Sequence, residues 1–212
     1  MDLNAKKRIL MFGLSSYPGG IENFAFNCFC REEFAKKFRI DFAVCDGGLA
    51  KRSEFLSAGH GEILLPNPKK DPRGYSAKVS ELIENGGYDI VYVNMLSAAN
   101  IIPVNIAAKK GVKSIVVHSH ADSTVPGLLR KALHYINRRS CAKKATLRLA
   151  CSEKAGKWIF GKRGFTVVPK ELGNLNALMK RRLGARSNGV SYITQRGAAA
   201  YFTADGRKAA EE

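Results

Sequence analysis

The chain has 212 residues, of which 45% are hydrophobic, enough for one globular domain of ordinary size and a tail. Lysine and arginine total 35 against 18 acidic residues, so the net charge of +17 predicts an anionic partner and excludes none of three kinds: nucleic acid, an acidic membrane face or a phosphorylated small molecule. No apolar run reaches about 18 residues and residues 1–8 are polar, so we expect neither a membrane span nor a secretory signal, and a cytoplasmic location.

Short apolar runs alternate with stretches of helical periodicity along most of the chain. In chain order we predict strand 8–13, a helix from 21, strand 40–45, helix 53–58, strand 62–65, helix 75–84, strand 89–94, helix 98–110, strand 114–118, helix 127–144, strand 147–151, helix 152–160 and strand 165–168. The proline-rich segment 66–72 is predicted as an extended basic loop. Strands that are apolar on both faces and alternate with helices indicate an α/β fold, a Rossmann-like doubly wound parallel sheet of seven strands.

Composition changes after Pro169. Residues 188–212 hold a short apolar segment, an alanine run and a charged end, without the rhythm of strands and helices seen before. We therefore predict one domain over 1–169 and a poorly ordered, atypical tail over 170–212, with no second domain.

The first turn after a strand carries a glycine pair. Gly19 and Gly20 precede the helix that starts at Ile21, and their lack of side chains would let its N-terminus approach an anionic or hydroxyl-rich ligand. The spacing matches neither the dinucleotide fingerprint nor the phosphate loop, and plain turn chemistry explains the pair equally well. Glu22 lies in the first helical turn, where a carboxylate is favoured by the helix dipole.

Two histidines follow the fifth predicted strand. His118 and His120 are two residues apart on an extended chain and so point to the same side, where they could act as a base, as ligands of a hydroxyl or as metal ligands. A metal is disfavoured because no further histidine or cysteine cluster completes a site, and the chain has no Asp-x-Asp pair. Hydrogen-bonded histidines that cap a strand remain the alternative.

The predicted helix 127–144 is strongly basic and amphipathic. Its apolar positions Leu129, Ala132, Leu133 and Ile136 share one face, and its lysines and arginines lie largely off that face. Such a helix could rest on an anionic bilayer surface, on the inner face of the plasma membrane. The alternative is that the leucines pack inward and the charges form an ordinary solvated face.

Four segments together resemble a known family, the retaining glycosyltransferases of family 4, and within it the bacterial capsular and exopolysaccharide enzymes of GT-B architecture. They are residues 8–23 (RILMFGLSSYPGGIEN), 88–100 (YDIVYVNMLSAAN), 115–120 (IVVHSH) and 150–161 (ACSEKAGKWIFG). Their order and spacing match over roughly residues 6 to 169. The resemblance implies that this is the N-terminal, acceptor-side domain of such an enzyme.

The resemblance also implies roles for single residues. Gly19 and Gly20 would line the cleft near the donor diphosphate and the acceptor, and His118 would sit at the acceptor hydroxyl as the catalytic-site histidine. Glu22 and His120, which adjoin these residues in sequence, are further candidates for substrate binding from their own positions. Ser152 and Glu153 would open the helix that borders the same cleft. Members of the family transfer a sugar from a nucleotide donor to a growing, often lipid-linked glycan, with retention at the anomeric carbon, without an obligatory metal and with the nucleotide sugar as co-substrate rather than cofactor.

The chain departs from the family after its last predicted strand. Val168-Pro169 is followed by Lys170-Glu171-Leu172-Gly173, where the family has a Pro-Asn-Gly type of turn, and nothing downstream resembles its donor-binding domain. We therefore expect a truncated or split enzyme that is inactive without a donor-domain partner chain.

Two other readings of the whole chain stay open. One is a non-catalytic domain that holds a glycan or a phosphate. The other is a basic nucleic-acid-binding module, which is disfavoured because tyrosines and phenylalanines fall inside predicted strands and helices instead of alternating with basic residues.

Overall fold

A single parallel sheet of seven strands forms the centre of the domain. The structure, a computed structural model, describes residues 6–45, 47–121 and 127–168, and the expected tail 170–212 lies outside them. The strands are β1 Lys7–Phe12, β2 Phe38–Cys45, β3 Gly61–Leu65, β4 Ile90–Met95, β5 Ser114–Ser119, β6 Leu147–Ala150 and β7 Thr166–Val167. Their order is β3-β2-β1-β4-β5-β6-β7, and every pair is parallel. The predicted doubly wound sheet is confirmed.

Helices cover both faces of this sheet. They are α1 Gly20–Phe29, α2 Glu32–Lys37, α3 Arg52–Ser57, α4 Pro72–Asn85, α5 Ile102–Lys109, α6 Leu128–Lys144 and α7 Glu153–Phe160. Alternate residues of each strand enter two separate cores. Met11 and Phe42 pack with Phe55 of α3 on one face, whereas Leu10 and Val117 share the other core with residues of α4 to α7. Burial on both faces explains why the strands read as continuous apolar runs.

Arg8 joins three segments at the amino edge of the sheet. Its guanidinium donates to the carboxylate of Asp41 in β2 at 2.8 Å and to the backbone oxygen of Gly86, before β4, at 2.6 Å. Its backbone N–H donates to Asp89 at 2.8 Å, and its guanidinium lies over the ring of Tyr88, whose hydroxyl also donates to Asp41. The pKa of Arg8 is raised, chiefly by the hydrogen bond to Asp41. This network, the Arg8 clamp, fixes the start of β1 against both neighbouring strands.

The segment predicted as an extended loop, 66–72, is a loop over 66–71, but it is not extended and Pro72 belongs to α4. The chain turns here, because the backbone oxygen of Asn67 accepts from the N–H groups of Lys70 and Asp71. Asp71 then caps α4 by accepting from the N–H of Gly74 at 2.8 Å, and Pro72 is the first helical residue. Proline is well suited to that position, since its missing N–H has no partner in a first turn.

Helix α5 begins at Ile102, four residues later than predicted. The N–H of Ala98 donates to Nδ1 of His134 in α6, and the N–H of Ile102 donates to Oδ1 of Asn100. A helix that began at Ala98 would have bonded the N–H of Ile102 to the backbone oxygen of Ala98, and the side chain of Asn100 takes that donor instead. Residues 96–101 therefore form a loop at the carboxyl edge of β4.

Helix α6 turns its leucines outward, so the interpretation in which they pack inward is wrong. The inward face is formed by His134, Cys141 and Ala142, which are buried. Leu129 and Ile136 are 74% and 71% exposed. Of the helices that the structure describes, none has both the length and the apolar composition to cross a membrane.

Candidate functional site at the carboxyl edge of the sheet

The loop between β1 and α1 is closed by a buried carboxylate. Glu22 accepts from the N–H and the hydroxyl of Ser15 at 2.8 and 2.9 Å through Oε1, and from the N–H of Gly19 at 3.0 Å through Oε2. A side chain at Gly19 would lie 2.9 Å from Oε2, whereas one at Gly20 would meet nothing within 4 Å. Gly19 is thus part of the loop's construction, and Gly20 faces open space at the helix N-terminus.

The end of β1 lies against the end of β4 without a side chain between them. Gly13 follows β1 with φ +93°, and a Cβ there would collide with the backbone oxygen of Asn94. A glycine is therefore required for both conformation and close approach. The contact places Asn94 next to the loop between β1 and α1.

Asn94 links three parallel strands. Its Nδ2 donates to the backbone oxygen of Phe12 in β1 at 3.0 Å, and its Oδ1 lies 2.9 Å from Nε2 of His120, just after β5. Since Nδ2 is the donor to Phe12, Oδ1 must accept, so the proton of the neutral His120 ring is on Nε2. Nδ1 of His120 therefore keeps its lone pair.

His118 lies deeper, on the same face of the sheet. It is 1% exposed, and its Nδ1 lies 2.8 Å from the hydroxyl of Tyr92 in β4. Burial raises the pKa of Tyr92, so the phenol keeps its proton and we assign it as the donor to Nδ1. The proton of His118 is then on Nε2, a buried atom that has no hydrogen-bond partner within the described residues.

Both histidines are neutral at pH 7. Burial, aided by repulsion from His120, lowers the pKa of His118 to about 2. Burial lowers the pKa of His120 to about 4, and the charge of Glu22 opposes that shift. A neutral imidazole pair can bind hydroxyl groups but supplies no positive charge.

Phe24 of α1 covers the pair. Its ring centroid lies 4.9 Å from that of His118 and 5.6 Å from that of His120, in edge-on geometry, and the two imidazoles are 3.9 Å apart. The glycine-pair turn and the histidines therefore lie at one edge of the sheet, as the sequence predicts. Because Nε2 of His118 is buried, a ligand would reach it only after a covering side chain moves.

A cavity of about 610 Å³ opens at the same edge, beyond Asn94. Its walls are the loop after β4, the first turn of α5, the turn before α4 and one side of α6. Its polar side chains are amides, two hydroxyls and two cations: Asn94, Asn100, Asn105, Asn137, Ser97, Tyr75, Lys69 and Arg130. Amides with a few cations suit a ligand that carries hydroxyls and a negative charge.

Ser152 and Glu153 lie at the end of the next strand, β6. The hydroxyl of Ser152 accepts from the N–H of Ala155 at 3.1 Å and caps α7, as its position predicts. Glu153 is exposed in the first turn of that helix. In the structure Ser152 stabilises the start of α7. Its place at the border of the cleft, which the resemblance implies, stays a prediction.

Sequence reasoning missed three members of the site: Phe24, Tyr92 and Asn94. The polar end of the run Val91-Tyr-Val-Asn94 was a usable signal for two of them, since Tyr92 and Asn94 alternate on one face of β4. Phe24 carried no such signal because its apolar character equally fits a core position. Among the described residues, no group of three His, Cys, Asp or Glu side chains is arranged to hold a metal ion.

No family model matches the chain. Curated LL-diaminopimelate aminotransferases match part of it. The enzyme of Azobacteroides pseudotrichonymphae is 36% identical over 84 residues, which is 35% of this chain and 21% of that protein. The enzyme of Lawsonia intracellularis is 32% identical over 124 residues, 51% of this chain and 28% of that protein. The chain thus spans about a fifth to a quarter of the length of these relatives.

Three solved structures resemble the chain at low sequence identity, and two of them are complexes with UDP. Anabaena HepE in complex with UDP and glucose has a TM-score of 0.49 at 17% identity, covering 76% of this chain and 42% of that one. A protein from Listeria monocytogenes described as a UDP-N-acetylglucosamine 2-epimerase has a TM-score of 0.49 at 13% identity, with coverage of 75% and 43%. An alpha-glucosyltransferase in complex with UDP and DNA has a TM-score of 0.42 at 18% identity, with coverage of 80% and 40%. This chain spans less than half of each.

Proposed function

We propose that the described domain is the acceptor-side half of a retaining, GT-B type glycosyltransferase of family 4, which transfers a sugar from a nucleotide sugar to a glycan or lipid-linked acceptor in polysaccharide biosynthesis. The observation that carries the proposal is the unpartnered Nε2 of His118, buried at the carboxyl edge of the sheet. Nε2 of His134 and Nε of Arg8 are likewise buried without a partner among the described residues, so it is the position of His118 beside the first loop at the sheet edge that singles it out. In open parallel sheets, ligands bind at this edge.

The two imidazoles offer complementary hydrogen-bonding atoms. With the assigned protons, Nε2 of His118 is a donor and Nδ1 of His120 is an acceptor. A sugar hydroxyl is both, so it can accept from the first ring and donate to the second. The low pKa values keep both atoms in these states throughout the physiological range. We assign the acceptor hydroxyl to this pair, with a covering side chain displaced on binding.

The cavity beside Asn94 supports an acceptor that extends beyond one sugar. Its volume of about 610 Å³ exceeds what a single hydroxyl group needs, and its amides suit a polyol. Lys69 and Arg130 add positive charge to its lining. This combination favours an acceptor that carries a phosphate, as a lipid-linked glycan does.

Gly20 supports the approach of a donor at the same edge. The space in front of it is open, and it is the first residue of α1, where backbone N–H groups and the helix dipole favour a negative group such as a diphosphate. In this proposal Gly20 borders the donor, whereas Gly19 and Glu22 hold the loop in shape.

The nucleotide is held by a second domain in this proposal. Departure of a diphosphate requires groups that stabilise its developing charge. His118 and His120 are neutral and cannot supply that charge. We therefore propose that a donor-binding domain, in a longer chain or a partner, completes the enzyme and that these residues alone do not catalyse transfer.

Histidine resonances provide the direct test, because the chain has four histidines, all in the described part. We would label them and titrate the protein with methyl glycosides and with glycosyl phosphates. The signals of His118 and His120 should shift saturably, while His60, which lies just before β3 at the amino edge of the sheet and bonds to backbone groups there, should not. His134 binds the N–H of Ala98 in the loop that lines the cavity and is not a control. Equal shifts at all four histidines, or none at any, would refute carbohydrate binding at this site.

Activity is tested separately with a panel of nucleotide sugars. The purified chain should neither hydrolyse them nor transfer from them. Turnover above that of a His118→Ala variant would show that these residues need no further donor-binding domain. Glycoside binding without turnover is also what a non-catalytic glycan-binding domain would give, and restored turnover on addition of a donor-binding domain separates the two.

The partial match to aminotransferases favours a second candidate, amino-group transfer. That match covers about a fifth of the relatives' length, so the reaction would again need residues from outside it. Transfer of an amino group from glutamate to a keto acid by the purified chain would support this candidate against glycosyl transfer.

A further inference from the structure

Two stacked aromatic rings lie behind one wall of the cavity at the carboxyl edge. His134 of α6 and Trp158 of α7 have ring centroids 3.8 Å apart and planes 15° apart. We propose that this His134–Trp158 pair sets the shape of loop 96–101, so that both are positioning residues for the ligand of the cavity. The inference rests on the proposed function, since it concerns the cavity assigned there to the acceptor.

Each ring of the pair binds the backbone of loop 96–101. Nε1 of Trp158 donates to the backbone oxygen of Leu96 at 3.1 Å. Nδ1 of His134 accepts from the N–H of Ala98 at 3.1 Å. The loop has neither helical nor strand structure. Bonds from outside it therefore fix the path of its backbone.

The bond to Ala98 acts directly on the cavity wall. Ala98 is fully buried, so its N–H cannot bind water in place of the imidazole. An unpaired buried donor is costly, and loss of the acceptor would force the backbone to move. Ser97 and Ala99, on either side of Ala98, both line the cavity. A shift at Ala98 would therefore change the shape of the binding surface.

The chemistry of His134 fits this role better than plain packing. An apolar side chain could fill the same buried position without the cost of burying an imidazole. Since the N–H of Ala98 is the donor, Nδ1 must carry the lone pair, and the proton of the neutral ring is on Nε2. Burial, aided by the charge of Arg138, lowers the pKa of His134 and keeps the ring in this state at pH 7. Stacking on Trp158 fixes the direction in which Nδ1 points.

A ligand in the cavity should also be sensed by the pair. Asn137 of α6 lines the cavity and donates to the backbone oxygen of Ala99 at 3.3 Å, so it touches both the ligand space and the loop. Trp158 is the only tryptophan of the chain. Its fluorescence should therefore change saturably when a glycosyl phosphate fills the cavity of the unmodified protein.

Two substitutions of His134 separate positioning from packing. His134→Phe keeps a flat ring against Trp158 and removes the acceptor. His134→Asn loses the ring, but its Oδ1 is bonded to Cγ as Nδ1 is and can accept from Ala98. We would measure amide exchange in loop 96–101 and the dissociation constant of a glycosyl phosphate, using the full chain. The phenylalanine variant should exchange faster at Ala98 and bind the ligand more weakly, each by about fivefold or more, and the asparagine variant should recover most of both.

His60→Phe is the matched control. His60 is also buried, and its Nδ1 accepts from the N–H of Ile40, but it lies at the amino edge of the sheet. Its loss should leave ligand binding and exchange in loop 96–101 unchanged. Circular dichroism would confirm that each variant is folded. If His134→Phe does not fold, Trp158→Phe replaces it, because it keeps a stacked ring and removes only the donor to Leu96. It too should speed exchange in the loop.

Several results would overturn the inference. An asparagine variant that is no better than the phenylalanine variant would show that ring packing alone matters. Unchanged exchange in loop 96–101, or faster exchange with unchanged ligand binding, would remove the positioning role. If the unmodified protein binds no glycosyl phosphate, the proposed function fails, and the exchange rates of the variants then decide the inference by themselves.

Discussion

Oδ1 of Asn94 lies 2.9 Å from Nε2 of His120, and this contact sets the proton position of the less buried imidazole of the site. Removing the amide with Asn94→Ala also frees the backbone oxygen of Phe12, which it binds. We expect a loss of about 1–3 kcal/mol in unfolding free energy, and nitrogen shifts of His120 that report a mixture of tautomers. Denaturant unfolding and ¹⁵N spectra measure the two effects. Asn27→Ala, at an exposed position of α1, should change neither.

The carboxylate of Glu22 accepts three hydrogen bonds while buried. Glu22→Gln turns one acceptor oxygen into a donor that faces other donors. The expected result is a loss of about 1–3 kcal/mol in unfolding free energy, with faster amide exchange at Ser15 and Gly19. Glu32→Gln, on an exposed ion pair of α2, should stay within about 0.5 kcal/mol of the unmodified protein. Equal effects of both substitutions would contradict the role of Glu22.

We expect the two glycines to have different roles, Gly19 in stability and Gly20 in binding. Gly19→Ala places a methyl group 2.9 Å from a pinned carboxylate oxygen and should lower stability by about 1 kcal/mol. Gly20→Ala meets only open space, in the first turn of a helix, and should be neutral or slightly stabilising. Melting curves of the two variants give the comparison. If Gly20 borders a donor, Gly20→Val should weaken nucleotide-sugar binding in the completed enzyme and leave the melting temperature within a few degrees.

Acid should destabilise the domain through its histidines. The folded pKa values of His118 and His120 are about 2 and about 4, below the value near 6.5 of an unfolded histidine, so the unfolded chain takes up protons first as the pH falls. The full contribution of these two histidines to the unfolding free energy is therefore present above about pH 6.5. Below it, each ring removes up to about 1.4 kcal/mol of unfolding free energy per pH unit. Denaturant unfolding at pH 7, 6 and 5 measures the slope. His120→Gln keeps a donor for Asn94 and should reduce the slope, whereas a stability that is constant over this range would refute the shifts.

Much of the fold can be predicted from the sequence. Strands buried on both faces must be apolar throughout, and all seven runs identified this way form strands in a parallel sheet. The starts of helices were harder to predict where a side chain, instead of the backbone, binds an N–H group. Pro72 opens α4 because Asp71 caps it, and α5 begins late because the side chain of Asn100 takes the N–H of Ile102 that a longer helix would have used.

The sequence pattern does not predict which face of α6 is exposed or how deeply the candidate site is buried. Periodicity places Leu129 and Ile136 on one face of α6, but only the neighbours of the helix decide whether that face is covered. Likewise, the alternation of His118 and His120 predicts a shared side. It does not reveal that Phe24 lies over both rings, because that contact depends on how α1 packs across the end of β5.

The Arg8 clamp lies at the amino edge of the sheet, since β1 begins at Lys7. The candidate site residues lie at the opposite edge, where the strands end. Anchorage and chemistry are therefore separable. Substitutions confined to the solvent-facing positions of loops 14–19 and 96–101 should leave the grip of Arg8 on Asp41 and Gly86 intact, whereas the buried Leu14, Ala98 and Ile101 belong to the core and must be kept.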